Sequence, residues 1–322
     1  MAVRAVSASS PVKGECRSGV NESASDLLVR SVGENCLKGV QEALNAKADP
    51  DTSIEGRDNV IHLACNGEVG NVAIVRELLR FRADPNARTY WGDAPLHRAC
   101  LRGHNAIVKE LIREKADIEA RDSDAHSPLQ RAIIWGRLDC CKTLIEARAA
   151  INFRSLWTRK TTPLILACEG GDSVTKVSDE TQCAIVNLLL DAKADPNLDD
   201  TRSTPLMAAA CRPKVLRILL DRGAEVSDEI PQGSEEALPL HTAARSGCSE
   251  SVQILLEARA NPHAKSAHGT IALTAAIAQR DLQLASPSNP PEVTAKVIAD
   301  LEAVIALLQP YGSNKCMGQW IE

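Results

Sequence analysis

The chain has 322 residues, of which 44% are hydrophobic and only eight are aromatic, namely two Phe, two Tyr and four Trp. The apolar residues are mostly Ala, Leu, Ile and Val, which favours packed helices over a sandwich whose core needs large rings and β-branched residues. The net charge of −5 argues against a nucleic-acid scaffold with a strongly basic surface. A membrane-spanning helix is excluded, because no apolar run approaches the roughly 18 residues that it requires.

The N-terminal segment, residues 1–25, is rich in Ser, Gly, Val and Ala and has few acidic residues at first. This composition predicts a short disordered leader, with a targeting peptide as the alternative. The eleven cysteines are scattered and odd in number, they contain no C-x-x-C pair, and no apolar signal-peptide core follows Met1. We therefore expect reduced thiols in an intracellular, cytoplasmic protein, with organelle targeting by the leader left open.

One two-helix pattern recurs along residues 26–312. Its first block reads DAPLHRACLRG at 93–103, and related blocks start at 126, 161, 203 and 237. A Ser or Thr followed by Pro is a helix-start signal, because the hydroxyl accepts a free backbone N–H and Pro fits the first turn. The second block, such as IVRELLRFRADPN at 74–86, carries the apolar stripe of a second helix. The apolar residue of the first block recurs at spacings of 33 to 42, at Leu28, Ile61, Leu96, Leu129, Leu164, Leu206 and Leu240.

These blocks and their period of about 33 residues resemble ankyrin repeats, whose signature is a TPLH-type helix start and a GADVN-type ending. The resemblance covers residues 26–312. It implies an all-α solenoid of about seven or eight helix–turn–helix repeats with short β-hairpin fingers. Neither helix of a repeat can bury its apolar stripe alone, so stacked neighbours must share one continuous core. Small residues such as Ala99 and Ala132 keep the helices close, which accounts for the scarcity of aromatic residues.

The repeat pattern is interrupted at two places. About ten residues are inserted near 169–184, and a polar, Pro-containing insertion is expected near 279–292. Pro213 is expected to begin the second helix of a shortened repeat. A helix over 293–308 is expected to cap the array, and the tail, 313–322, lies outside the pattern.

Two His-x-x-Cys segments, His62 with Cys65 and His97 with Cys100, could each place a metal pair on one helix face. The resemblance favours a structural role, in which the imidazole hydrogen-bonds to the neighbouring repeat and the Cys fills a small buried position. The sequence contains no phosphate-binding loop, HExxH, GxSxG or EF-hand motif. We therefore predict no catalytic residues, no cofactor and no metal site.

Several aromatic residues map to positions that face the concave groove in ankyrin-like arrays. These positions are the finger tips before the TPLH block and the residues just before the Gly that ends the first helix. Side chains there contribute little to folding, and Trp, Tyr and Arg dominate binding hot spots. The predicted partner-binding residues are Tyr90, Trp91, Asp93, Leu101, Arg102, His126, Ile134, Trp135, Trp157 and Arg159. The alternative is that the rings of Trp91 and Trp157 merely pack over neighbouring fingers.

The resemblance implies a non-enzymatic adaptor or scaffold that holds a partner protein in its groove. Basic residues such as Arg88 and Arg137 favour a partner segment with acidic groups, and no nucleic-acid partner or membrane insertion is expected. The oligomeric state is left open. One alternative is the substrate-recognition subunit of a larger enzyme such as a ubiquitin ligase, although the tail shows no recognisable recruiting box. Another is an enzyme built from the two insertions, which lack a nucleophile–base pair or a metal-ligand set.

Overall fold

The computed structural model describes residues 23–153, 161–170, 177–200, 203–227, 238–285 and 291–312. These residues form sixteen α-helices, one two-stranded hairpin and a short 3-10 helix. The chain divides between Asp117 and Ile118 into two compact units. Each unit is a stack of helix pairs, and we describe the two in turn.

The first unit contains three helix pairs and the hairpin. The pairs are α1 (Ala24–Gly33) with α2 (Leu37–Asn45), α3 (Val60–Asn66) with α4 (Val72–Arg80), and α5 (Pro95–Arg102) with α6 (Asn105–Arg113). The hairpin pairs β1 (Ser53–Ile54) antiparallel with β2 (Asp58–Asn59). Along the stack α3 packs on both α1 and α5, while α4 packs on α2 and α6. First helices therefore form one layer and second helices another.

The second unit contains five helix pairs. They are α7 (Pro128–Ile134) with α8 (Leu138–Glu146), α9 (Pro163–Glu169) with α10 (Asp179–Asp191), α11 (Pro205–Ala208) with α12 (Pro213–Asp221), α13 (Pro239–Arg245) with α14 (Ser249–Glu257), and α15 (Ala272–Ala285) with α16 (Pro291–Leu308). A 3-10 turn, Gln309–Tyr311, follows the last helix. The same layering holds, because α9 packs on α7 and α11 while α10 packs on α8 and α12.

The first helices begin as the repeat signature predicts. Five of them have Pro in the first turn, where a missing N–H leaves no unsatisfied donor. The hydroxyls of Ser127, Thr162 and Thr204 each accept the backbone N–H three residues further on. Pro213 begins α12 in the same way.

Seven second helices end in one type of hydrogen-bonded turn. After α6, the Lys115 N–H donates to the Ile112 carbonyl (3.0 Å), and the Ala116 N–H donates to the Leu111 carbonyl (2.9 Å). This Schellman arrangement requires a left-handed residue before the Ala. The left-handed residues are Lys47, Arg82, Lys115, Arg148, Lys193, Gly223 and Arg259. The following Ala is buried in every case, which explains why a small apolar residue recurs in the middle of the K-A-D and R-A-D endings.

Lys115→Gly is expected to raise the free energy of unfolding by about 1 kcal/mol, because Gly adopts a positive φ without the steric cost that other residues incur. The matched control is Lys109→Gly on the exposed face of α6, where Gly should instead cost about 1 kcal/mol. Urea denaturation of both variants measures the two changes. Destabilisation by Lys115→Gly would show that the lysine side chain contributes more than its backbone conformation costs.

The array begins earlier than residue 26. Ala24 is the first residue of α1, because the Ser23 hydroxyl accepts the Asp26 N–H (3.1 Å) and caps the helix. The fingers are also shorter than the predicted hairpins. Among the described residues only β1 and β2 pair as strands, whereas the finger before α5 is a tight turn in which the Thr89 N–H donates to the Asp93 carbonyl (3.0 Å).

Both predicted insertions are partly helical. The insertion near 169–184 ends sooner than expected, since Ser178 caps α10 and lengthens this helix to 13 residues. In the insertion near 279–292, α15 continues to Ala285 and α16 begins at Pro291. The segment after Ala278 consists mostly of good helix formers and has no Gly or Pro before Pro287, so nothing ends α15 where the repeat pattern stops.

The core lies between the two helix layers of each unit. The recurring apolar residue of the first block is at most 2% exposed at all seven predicted positions. Eight described cysteines carry free thiols, whereas Cys36 is disulfide-bonded, which departs from the expectation that the thiols are reduced. Within the described ranges no helix has both the length and the apolar character needed to cross a membrane.

Candidate partner-binding surface

The finger before α5 carries two exposed aromatic rings. The Gly92 N–H donates to the Thr89 carbonyl (2.9 Å), and a positive φ of 73° at Gly92 completes the tight turn. Tyr90 is 73% exposed and Trp91 is 59% exposed. The two rings meet edge to face with their centroids 5.2 Å apart. Because large rings stabilise a fold by being buried, folding does not explain this exposed pair.

Contacts with the preceding finger and with two helices hold the same finger in place. The Tyr90 N–H donates to the Arg57 carbonyl of the preceding finger (2.8 Å). The Arg98 guanidinium of α5 pairs with the Asp93 carboxylate (2.8 Å), and the His62 Nε2 lies 3.1 Å from the Asp93 carbonyl oxygen. Asp93, one of the predicted partner-binding residues, therefore anchors the finger to two helices.

Two further predicted residues, Leu101 and Arg102, lie in the last turn of α5. Leu101 is half-buried and Arg102 is exposed. The Arg102 Nε donates to the Asn66 Oδ1 at the end of α3 (2.9 Å). This bond orients the guanidinium while leaving it accessible to a partner.

In the second unit, the finger before α7 is built around a buried carboxylate. Asp122 accepts the Arg131 Nε (2.6 Å) and the backbone N–H groups of Asp124 and His126 (2.9 Å each). Arg131 also pairs with the exposed Asp124 (2.7 Å). Potential metal-ligand atoms of Asp122, Asp124 and His126 lie within 4.8 Å of one another. Arg131 already balances both carboxylates, so the group serves to hold the finger.

The other predicted residues of the second unit are less accessible than the aromatic pair of the first. Ile134 and Trp135 end α7 and are both half-buried. The backbone N–H of Trp135 donates to the Arg131 carbonyl (3.2 Å). Trp157 and Arg159 lie outside the described residues.

The His-x-x-Cys segments have structural contacts. The His62 Nδ1 accepts the Asn59 N–H (3.2 Å), and its Nε2 lies 3.0 Å from the Ala87 carbonyl oxygen of the next repeat. These two bonds require a neutral ring with its proton on Nε2. Complete burial raises the pKa of the Cys65 thiol above its usual range, which disfavours the thiolate that a metal requires. The geometry agrees with the predicted structural role.

His62→Gln is expected to flatten the dependence of stability on pH between pH 7 and pH 5. Burial lowers the pKa of His62 below its ordinary value of 6.5, so below that pH the unfolded chain binds a proton that the folded chain excludes. The contribution of the neutral ring is complete above about pH 6.5 and is lost as the pH falls towards the lowered pKa.

The chain itself supplies the replacement, because Gln130 occupies the equivalent position. Its Oε1 accepts the Ser127 N–H (2.9 Å) and its Nε2 donates to the Thr161 carbonyl (3.0 Å). Urea unfolding at pH 5 and pH 7 measures the effect, with the exposed His268→Gln as the control that should behave like the wild type. If the stability of His62→Gln depended on pH as that of the wild type does, the conclusion that His62 is buried as a neutral ring would be contradicted.

The sequence patterns did not single out Arg98 and Arg131. Both occupy the same repeat position, 33 residues apart, and each pairs with a finger aspartate of its own unit, Asp93 and Asp122. The recurrence of a basic residue directly after the TPLH-type block is the signal by which these finger anchors could have been found.

Comparison with known proteins settles the family. A family model described as ankyrin repeats (3 copies) matches residues 28–122, 61–155, 151–230 and 174–266, which together span most of the chain. The chain belongs to the ankyrin repeat family. The crystal structure of the human ASB11 ankyrin repeat domain is similar to this ankyrin chain, with a TM-score of 0.57 and 24% identity, over 76% of this chain and 96% of that one. No curated protein matches the sequence.

The predicted ankyrin fold is thus confirmed, and the eight helix pairs of the described residues agree with the expected seven or eight repeats. The likeness to the ASB11 domain concerns the fold alone. Ankyrin repeats are protein–protein interaction modules and are generally non-enzymatic. The functional question for this ankyrin chain is therefore which of its surfaces meets a partner.

Proposed function

We propose that the chain is a non-enzymatic adaptor or scaffold that binds a partner protein through finger tips and first-helix ends. The observation that carries this proposal is the exposed pair Tyr90 and Trp91 on a well-anchored finger. Large, stiff aromatic side chains provide much contact area for little loss of conformational entropy. A preformed finger also lowers the ordering cost of binding.

The charges around the pair favour an acidic partner segment. Arg57 and Arg88 flank the two rings and are both exposed. The Arg88 Nη1 donates to the Gly92 carbonyl (2.9 Å), which keeps this cation at the finger tip. Arg102 adds an accessible guanidinium at the end of α5. Complementary charge of this kind accelerates association and selects among partners.

In the second unit, Ile134 and Trp135 provide a smaller contact with the partner, together with His126 beside the Asp122 network. Trp157 and Arg159 are included because of their positions in the repeat pattern. The proposed binding requires no cofactor and no metal. We further propose a cytoplasmic location, which imaging of the tagged full chain tests.

Affinity capture tests the binding surface. The full chain is compared with the double variant Trp91→Ala/Trp135→Ala, and Val69→Ala serves as the matched control, because Val69 is an apolar side chain that is 71% exposed. Partners that the wild type and the control retain and the double variant loses would support the proposal. An identical set of partners in all three samples would contradict this placement of the site. Capture of ubiquitin-ligase subunits by all three would favour the substrate-recognition alternative.

A further inference from the structure

The last helix pair carries an exposed apolar surface. Seven large hydrophobic side chains are exposed among the described residues, and four of them lie in α15 and α16, namely Leu282, Leu284, Val293 and Leu307. Helix α15 packs on α13 and α16 packs on α14, as in the repeats before them. No further repeat follows this pair in the part of the chain that the structure describes, so no stacked helix pair covers these four side chains.

On α16 the exposed residues include one continuous stripe. Five of them follow one another at steps of three and four residues, namely Val293, Lys296, Asp300, Ala303 and Leu307. This spacing places their side chains on one side of the helix. The buried side chains of α16 are Thr294, Leu301, Val304 and Leu308. We call the five exposed residues the α16 stripe; it has a large apolar side chain at each end.

Two exposed leucines lie where the α16 stripe begins. Leu282 and Leu284 are both in the last turn of α15, and each is more than half exposed. Only residues 286–290 separate α15 from α16, and the two helices pack together. Apolar surface is therefore concentrated at the end of the pair where Val293 lies.

The segment that follows the last helix is rich in apolar residues for its length. Residues 313–322 read SNKCMGQWIE and include Met317, Trp320 and Ile321. Gly312, the residue before them, lies against the start of α15, because a Cβ at Gly312 would be 2.6 Å from the Leu273 Cδ2. The segment therefore starts on the surface of the same helix pair, just after the end of α16.

The segment is long enough to follow the α16 stripe. Val293 and Leu307 are fourteen residues apart, and a helix of that length rises about 21 Å. An extended chain advances about 3.3 Å per residue, so Trp320 can lie up to about 26 Å from Gly312. The indole can thus reach the far end of the stripe while the segment remains attached at Gly312.

The charges along the two segments also match. Asp300 lies about 10 Å from Leu307 along α16, and Lys315 lies about 10 Å from Gly312 in an extended chain. Asp300 is exposed, so the Lys315 ammonium can pair with its carboxylate. Complementary charge at matching positions favours one direction and one register of docking.

We propose that residues 313–322 dock on the α16 stripe and cap the repeat array. The Trp320 indole packs at the end formed by Leu284 and Val293, where a large ring buries the most apolar surface. Terminal repeats of a solenoid need a polar outer surface, and the docked segment supplies one with its Ser, Asn, Lys and Gln residues. The site is distinct from the proposed partner-binding residues, so either proposal can fail without the other.

Fluorescence of Trp320 tests the docking in the full chain. The triple variant Trp91→Phe/Trp135→Phe/Trp157→Phe leaves Trp320 as the only tryptophan. Acrylamide should quench its emission severalfold less than that of the free peptide 313–322, and the emission should be shifted to the blue. Adding Leu284→Ser and Val293→Ser should raise the quenching to the level of the peptide. Circular dichroism checks that each variant is folded.

Ala295→Ser is the matched control. Ala295 is exposed on α16 two residues after Val293 and hence on a different side of the helix, so this change should leave the quenching of Trp320 as it was. Quenching equal to that of the free peptide before any change to the stripe, or protection that survives Leu284→Ser and Val293→Ser, would overturn the proposal. Protection that increases with protein concentration would also overturn it, because a second copy of the chain would then cover the stripe.

Discussion

Asp122→Asn is expected to lower the free energy of unfolding by about 3 kcal/mol. The Asp122 side chain is fully buried and accepts one hydrogen bond from Arg131 and two from backbone N–H groups of the finger. An asparagine in either orientation points its amide N–H groups at another donor. The half-buried Arg131 also loses its closest counter-charge. Removing one partner of a buried ion pair is costly, because the remaining charge stays out of water without compensation.

Asp124→Asn is the matched control, because Asp124 pairs with the same arginine while its own side chain is 63% exposed. Its loss should cost less than about 1 kcal/mol, as for other exposed ion pairs. Urea denaturation followed by circular dichroism measures both variants. Hydrogen exchange should show the loss of protection concentrated in the finger before α7. If both variants lost the same free energy of unfolding, burial of the Asp122 carboxylate would not be the reason for its contribution to stability.

Trp91→Ala is expected to weaken binding of the captured partner by about 2 kcal/mol, or roughly 30-fold in Kd. The indole is 59% exposed in the free chain, so truncating it removes little from the stability of the fold. In a complex the same ring leaves water, and its full apolar surface contributes. Calorimetric titration of wild type and variant gives the two Kd values.

Two matched variants define the origin of the effect. Val69→Ala removes exposed apolar surface of the same unit and should change the binding free energy by less than about 0.5 kcal/mol. Tyr90→Phe keeps the edge-to-face contact with Trp91 and removes only the hydroxyl, so it separates ring packing from hydrogen bonding. A Trp91→Ala variant that binds with wild-type affinity would remove this finger from the proposed site.

Much of the fold was predictable from the sequence because its determinants are local. A hydroxyl before Pro caps its own helix, as at Thr162 and Thr204, and the recurring leucines mark the buried face of each first helix. Helix ends inside insertions were harder to predict. The pattern of Pro, Leu and Gly shows where the repeat register stops, but α15 continues past it, since helix propensity and not register decides that end.

The candidate site could be predicted only in part. Finger-tip positions follow from the register, which located Tyr90 and Trp91, and their exposure agrees with that placement. The role of an individual polar residue depends on its contacts in the folded chain, which the repeat register does not specify. Asp93 was therefore predicted to bind a partner, although its carboxylate pairs with Arg98.

The left-handed residues that end the second helices also mark positions at which the stability of single repeats can be changed. Among the described residues, six of these seven positions hold Lys or Arg and one holds Gly223. In a linear array the stability of each repeat adds separately to the total, so a glycine at one such position strengthens mainly its own repeat. Substituting glycine at one of these positions at a time should therefore change the order in which the repeats unfold, without altering the residues of the finger tips.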